Sequence, residues 1–204
     1  MVDVNLSDAA SVAKTTPDKI LFGAGTYNYG VKIDATGKVT SVGTFLGCTN
    51  GGGKFAVKPT FATVELDQST VARKGLDIKQ GEEATIETNW TEIKSDELGR
   101  VLIANVADGT DCKIITSKET IDAGDYFEDF AYIGKTVTGK PVIVYFKTAL
   151  CTSGLEVESK KSEQASPTIA FKCVADLDSA SNTLPYKIIW PSVGVAPAME
   201  AGGK

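Results

Sequence analysis

The chain of 204 residues has no histidine. Imidazole is the side chain whose ordinary pKa lies near neutrality and the commonest metal ligand, so its absence excludes Ser-His-Asp and Cys-His catalysis and His-metal centres. Enzymes that work through Asp, Glu, Lys or Tyr stay open. There are four cysteines, Cys48, Cys112, Cys151 and Cys173, too far apart to form a CxxC zinc half-site, and free thiols are the preferred reading. A signal-peptide core is missing, because Val2-Asp3-Val4-Asn5 is interrupted by polar residues, and synthesis in a reducing cytoplasm is expected. That makes Asn89-Trp90-Thr91 a chance sequon. No window approaches the run of about 18 apolar residues that reads as a membrane helix. An excess of positive charge is absent too. With 21 Lys and Arg against 26 Asp and Glu, net charge -5, the chain has no basic footprint for clamping phosphates.

What is present is β-patterned. A hydrophobic fraction of 42% is enough for a core. Tyr27, Tyr29, Val31 and Ile33 recur at period two after Ile20-Leu21-Phe22. Asp34-Ala35-Thr36-Gly37-Lys38 has hairpin-turn chemistry, and Val39, Ser41, Gly43 and Phe45 alternate beyond it. Cys48 to Gly53 reads as a loop, and Pro59 favours an edge or a bend within the extended run Phe55 to Leu66. Residues 67–81 read as a long loop with a short strand. The clearest strand is Ala84 to Trp90, with Ala84, Ile86, Thr88 and Trp90 on one face. Ser95-Asp96-Glu97 then opens a helix, capped by Ser95, whose face carries Leu98, Val101, Leu102 and Asn105 and which ends near Asp108-Gly109.

Further strands are expected at Cys112–Thr116, Tyr126–Thr136, Val142–Phe146, Leu155–Glu158, Thr168–Val174 and Tyr186–Trp190. Val142 to Phe146 is apolar on both faces, so a cover on both sides is expected, from the helix or a neighbouring subunit. The fold class that follows is mainly β: an antiparallel sandwich or barrel with one flanking α-helix. Three regions are expected: an arm at 1–18, a β-domain at 19–191 and a tail at 192–204 rich in Ala, Gly and Pro.

Several motifs suggest chemistry and fail on detail. Gly51-Gly52-Gly53-Lys54 could cradle a phosphate, but the P-loop pattern has Cys48 at its first glycine position and Phe55 where a hydroxyl should follow the lysine. Gly23-Ala24-Gly25 has Asn28 in place of the third glycine of a dinucleotide fingerprint. Ser11-Val12-Ala13-Lys14 fits SxxK without its companion elements. Asp122, Asp125, Glu128 and Asp129 lack EF-hand spacing and read as a solvated loop and strand edge. Trp90, Trp190, Tyr126, Phe130 and Tyr132 could stack on a glycan, although Trp90 shares a core face. No catalytic, cofactor-binding or metal-ligating residue is assigned, and no cofactor.

From Leu46 to Val106 the order is Leu46-Gly47-Cys48-Thr49 with glycines, an acidic strand ending Glu65-Leu66-Asp67, and an alternating strand running into Thr91-Glu92-Ile93 before a helix. This order resembles the tail tube, or major tail, proteins of bacteriophages and of phage-tail-like bacteriocins. The resemblance implies two packed antiparallel sheets with a helix, hexameric rings, and stacking of rings into a tube for genome passage. It implies a non-enzymatic structural protein of the virion tail, made in the host cytoplasm. Its partners would be identical copies, with tape measure, tail terminator and tail tip or baseplate proteins, and double-stranded DNA passing without specific binding. The loops and arms at 1–18, 47–54, 67–81 and 192–204 would grip neighbouring rings. The candidate interface residues are Gly51, Gly52, Gly53, Lys54, Arg73, Lys74, Asp77 and Glu82, with Arg73 and Lys74 exchanging ion pairs with Asp77, Glu82 and Glu83 between subunits. Two other readings compete: a β-sandwich module recognising glycan or a host surface, and a carboxylate glycosidase, for which no opposed pair of acids can be placed.

Overall fold

The computed structural model describes residues 15–69, 71, 73–179 and 182–192. In chain order the strands and helix are β1 (Thr26–Tyr29), β2 (Lys32–Ile33), β3 (Val39–Ser41), β4 (Thr44–Phe45), β5 (Thr49–Thr63), β6 (Asp77–Trp90), α1 (Ser95–Leu102), β7 (Ala104–Asp108), β8 (Lys113–Ser117), β9 (Phe127–Lys135), β10 (Pro141–Cys151), β11 (Thr168–Cys173) and β12 (Tyr186–Ile189). The main sheet runs β4-β1-β9-β10-β11-β6-β5, with β12 also on β10, and its pairings are antiparallel.

β4 and β5 lie at opposite ends of that order, yet only Leu46, Gly47 and Cys48 separate them in the chain. Four Cα steps span at most about 14 Å. The sheet therefore rolls until its ends meet. The Leu46 amide donates to Tyr27 O, and Cys48 O accepts from the amides of Thr91 and Glu92. The result is a mainly β, barrel-like fold with one α-helix at its side.

Inside the roll lie Tyr27, Leu46, Ile86, Trp90, Phe127, Phe130, Phe146, Ile169 and Phe171, all fully buried. Phe171 meets Phe127 edge-on at 5.3 Å between ring centroids, within the range where aromatic pairs add to simple burial, and lies tilted against Phe130 at 4.4 Å. The predicted face of β6 (Ala84, Ile86, Thr88, Trp90) is the buried one, and in the expected strand β11 the alternating Ile169, Phe171 and Cys173 are buried. Helix α1 inserts Val101 into this core and stacks Arg100 over Tyr29 and Phe127.

The expectation for Val142–Phe146 holds on burial and changes on what provides it. Val144 and Phe146 point into the barrel. Ile143 and Tyr145 form a second cluster outside it with Val31 and Ala131, covered by Ile33, Val39 and Ile189. The outer cover is thus the chain's own β2–β3 hairpin and β12, with no neighbouring subunit needed.

Other expectations are corrected. The helix stops at Leu102, where Ile103 takes the left-handed conformation (φ 52°), and Asn105 belongs to the β7–β8 hairpin. Lys94, not Ser95, occupies the cap position, and no side chain caps there. Leu155–Glu158 forms no strand, since Val157 is exposed and the alternation has no face to bury. The short strand expected within residues 67–81 is the start of the long strand β6, from Asp77. The glycine run is strand as well. Thr49 pairs with Trp90 and Gly53 with Thr88, so Asn50, Gly51 and Gly52 of β5 stand against Asn89 alone of β6 in a bulge, with Gly51 and Gly52 at φ 80° and 76°.

Gly53 is required by close approach rather than by dihedral angle. A Cβ there would overlap the Tyr27 hydroxyl and sit 2.6 Å from Glu87 O. Gly53→Val is expected to displace β5 from β1 and cost about 1–3 kcal/mol, the usual range for overpacking. Thermal denaturation checks this, with Gly81→Val, where a Cβ meets nothing within 4 Å, as control.

Candidate assembly surface

β11 pairs with β6 only from Thr85 to Asn89. Below Thr85 the β5–β6 pair continues alone, Val57 against Ala84 through Thr63 against Asp77. This two-stranded ribbon leaves the barrel for about 20 Å at the usual strand rise and ends in the loop 64–76. Phe61, Val64, Leu66, Val71 and Ile78 on it are all exposed. A two-stranded ribbon is at best marginally stable in water by itself.

Among the described residues, the outer edge of β5, at the end of the sheet, has no partner strand. Lys54, Lys58 and Pro59 lie along it, residue types that blunt unwanted edge pairing. Pro59 thus sits on an edge, as its lack of an amide proton predicted. The opposite edge, β4, is only two residues long.

The predicted interface residues separate into two groups. Gly51, Gly52, Gly53 and Lys54 lie where β5 meets the barrel. Arg73 and Lys74 lie in the distal loop, about 30 Å away along the strand. Between them, Asp77 accepts a hydrogen bond from the Thr63 hydroxyl at 2.6 Å. Glu82 pairs with Lys79 at 3.0 Å and accepts from Tyr186 Oη at 3.1 Å. The Lys79 hydrogen bond leads in holding its carboxyl below the usual range. Glu83 pairs with Lys172 at 3.7 Å. The expected exchange of ion pairs therefore meets carboxylates already engaged within the chain. Arg73 Nε donates to Ser69 Oγ at 2.8 Å inside its own loop.

A second ribbon, β7–β8, is joined to the sheet through α1 and through Lys118, which meets Asp125 at 2.6 Å and Asp122 at 2.8 Å. Ile114 and Val106 on it are exposed.

The motifs with chemical overtones take structural places. Lys54 sits 3.5 Å from Glu87 across the strand pair, and a strand, not a helix N-terminus, follows the glycines. Gly25 lies beneath the Tyr132 ring. Of the aromatic set, Trp90, Phe130 and Tyr132 are buried, leaving Tyr126 and Trp190 at the surface. Ser11–Lys14 lies outside the described residues, as do residues 1–14 of the expected arm and 193–204 of the expected tail.

The acidic group is the solvated edge expected only at Asp122 and Glu128, which are exposed. Asp125 and Asp129 are both about 5% exposed. Asp129, at φ 52° in β9, accepts from Lys32 Nζ (2.6 Å), Tyr145 Oη (2.5 Å) and Lys147 Nζ (3.0 Å). The sequence signal for this cluster was faint: Asp129, next to Glu128 and ahead of the apolar run from Phe130, falls opposite Lys147 in the β9–β10 pair.

No protein-family model and no curated protein sequence matches the chain. Among solved structures it is similar to a chain from the tail of an empty gene transfer agent particle, determined by helical refinement with C6 symmetry. That match has 14% identity over 90% of this chain and 100% of the other, with a TM-score of 0.39. It is also similar to a chain in the virion of a native gene transfer agent particle, with 13% identity over 82% and 96% of the two chains and a TM-score of 0.35.

Proposed function

We propose that the chain is a non-enzymatic structural subunit of a phage-tail-type tube, whose copies close into hexameric rings and stack into a conduit for genome passage. The observation that carries this reading is the β5–β6 ribbon. It projects beyond the barrel with exposed apolar side chains and an edge that no described strand pairs, and a neighbouring copy supplies what it lacks. Pairing edges around a ring removes them. The order of features from Leu46 to Val106 supports the same reading, and a net charge of -5 suits a channel that a polyanion must slide through. Its other partners are the tape measure, terminator and tip or baseplate proteins, and its place is the virion tail.

Negative-stain microscopy of concentrated purified protein, with size-exclusion profiles across concentration, tests this. Rings or hollow fibres are expected, and a strictly monomeric chain at every concentration overturns the reading. Within it, Arg73→Glu with Lys74→Glu is expected to shorten the fibres and lower their yield, because both cations lie at the end of the ribbon that reaches furthest. Unchanged length and yield would remove that loop from the joint.

A further inference from the structure

At the seam of the rolled sheet, β1 hydrogen-bonds β9 on one side from Thr26 to Asn28 but meets β4 on the other only from Asn28. Apart from the bond that Tyr27 O accepts from the Leu46 amide, the outer edge of Thr26 and Tyr27 faces β5 with no ladder across the gap among the described residues. A slot of about 250 Å³ opens there, walled by Leu21, Tyr27, Phe55, Ile86 and Tyr132, with Lys54 at its rim. Its walls are apolar, and Lys54 is only loosely engaged, 3.5 Å from Glu87 and with its side chain 65% exposed.

Elsewhere on the molecule Leu177 stands fully exposed. It is not on a loose strand of chain. The Val174 amide donates to Thr148 O and the Ser179 amide to Asp176 O, so Leu177 and Asp178 occupy the two corner positions of a hydrogen-bonded turn that leaves β11. Corner positions of exposed turns ordinarily carry Pro, Gly, Asn, Asp or Ser. Here an aliphatic side chain is held out between two carboxylates, Asp176 and Asp178, both exposed.

We propose that Leu177 of one copy fills the β1–β5 slot of the next, with its flanking aspartates meeting Lys54 at the rim. Knob and slot match in chemistry, apolar against apolar and acid against base, and they share no residue. A contact between two different surfaces of identical molecules is heterologous, and such contacts generate rings or filaments rather than closed pairs. The proposal rests on the self-assembly reading above and gives it a specific joint, separate from the β5–β6 ribbon.

The test compares Leu177→Asp, Leu177→Met, Lys54→Glu and the double variant Lys54→Glu/Asp178→Lys with wild type by sedimentation velocity across concentration, with melting curves of the dilute protein as a control on folding. Leu177 is exposed, so melting should not change. Leu177→Asp is expected to raise the concentration at which copies associate about tenfold or more, the loss that follows from one fewer buried leucine. Leu177→Met should stay near wild type, and the double variant should recover most of what Lys54→Glu loses. If wild type associates and Leu177→Asp associates equally well, or the double variant restores nothing, the contact is overturned while the tube reading stands. If wild type never associates, both fall.

Discussion

Replacing residues 61–80 with a two-residue Asn-Gly turn between Thr60 and Gly81 will give a folded barrel that no longer assembles. Thr60 and Gly81 already face each other, so the new turn closes an existing register, and Asn-Gly suits the tight hairpin turn. Val57 and Ala84, the last pair packed on the core, are untouched. What is lost is the exposed apolar set Phe61, Val64, Leu66, Val71 and Ile78. Burying even two such side chains against a neighbour contributes about 3–6 kcal/mol, so association should weaken by roughly a hundredfold or more. Size-exclusion chromatography and microscopy read the loss. Melting of the shortened chain should stay close to that of the intact monomer, because the excised ribbon touches no core residue. Hydrogen exchange gives a second readout on the intact protein. Amides of residues 58–63 and 77–83 should exchange fast in dilute solution and slowly after assembly, since only a partner makes a two-stranded ribbon stable. Tubes formed by the shortened chain would show that the joint lies elsewhere.

How much of this was legible in the sequence depended on whether a segment's environment was local. The β6 stretch Ala84–Trp90 alternates because one face meets a barrel core and the other water, and period two records that directly. β11 was legible for the same reason, and Val142–Phe146 because an unbroken apolar run records burial on both faces. The glycine run was not. Gly51 and Gly52 read as a loop because positive φ is usually a turn signal, whereas here it marks a bulge in a strand held by pairing with β6, a partner distant in sequence. Helix α1 was placed correctly at its start and too long at its end, since Asn105 fits the helical face but Ala104–Asp108 is claimed by pairing with β8. The candidate surface was half legible. Lys54 and Arg73 could be selected as exposed and charged, but that they stand at opposite ends of one ribbon follows only from strand register. Asp129 was misjudged because a carboxylate among Asp122, Asp125 and Glu128 looks solvated until Lys32 from β2 and Tyr145 and Lys147 from β10 are brought to it.

Asp129→Ala should be among the most destabilising single substitutions outside the barrel interior. Its carboxylate ties β2 to β9 and β10 through Lys32, Tyr145 and Lys147, directly over the outer cluster of Val31, Ala131, Ile143 and Tyr145. Removing it strands the buried Tyr145 hydroxyl and frees two cations, but the Lys32 and Lys147 side chains are 65% and 50% exposed and can turn to water. The expected cost is therefore about 3 kcal/mol, at the lower end for a broken buried ion pair. Asp129→Asn, which tolerates the positive φ and can still accept from Tyr145, should cost about 2 kcal/mol. The same group sets an acid limit. Burial would raise its pKa, yet the hydrogen bonds from Lys32, Tyr145 and Lys147 and the charge of Lys147 outweigh that and hold it at about 2, against an ordinary 3.8. A carboxyl depressed on folding stabilises fully above its unfolded pKa and loses that contribution as pH falls through the folded value. At about 1.4 kcal/mol per unit, Asp129 supplies about 2 kcal/mol at neutral pH that disappears between about pH 4 and pH 2. Tyr145, raised by burial and by its bond to Asp129, stays a protonated donor throughout that window. Denaturant unfolding at pH 7, 4 and 2 should show wild type losing its advantage over Asp129→Asn across the acid steps. Parallel losses in the two proteins would assign the acid sensitivity to other carboxylates, such as Asp125, and leave the Asp129 cluster a matter of packing alone.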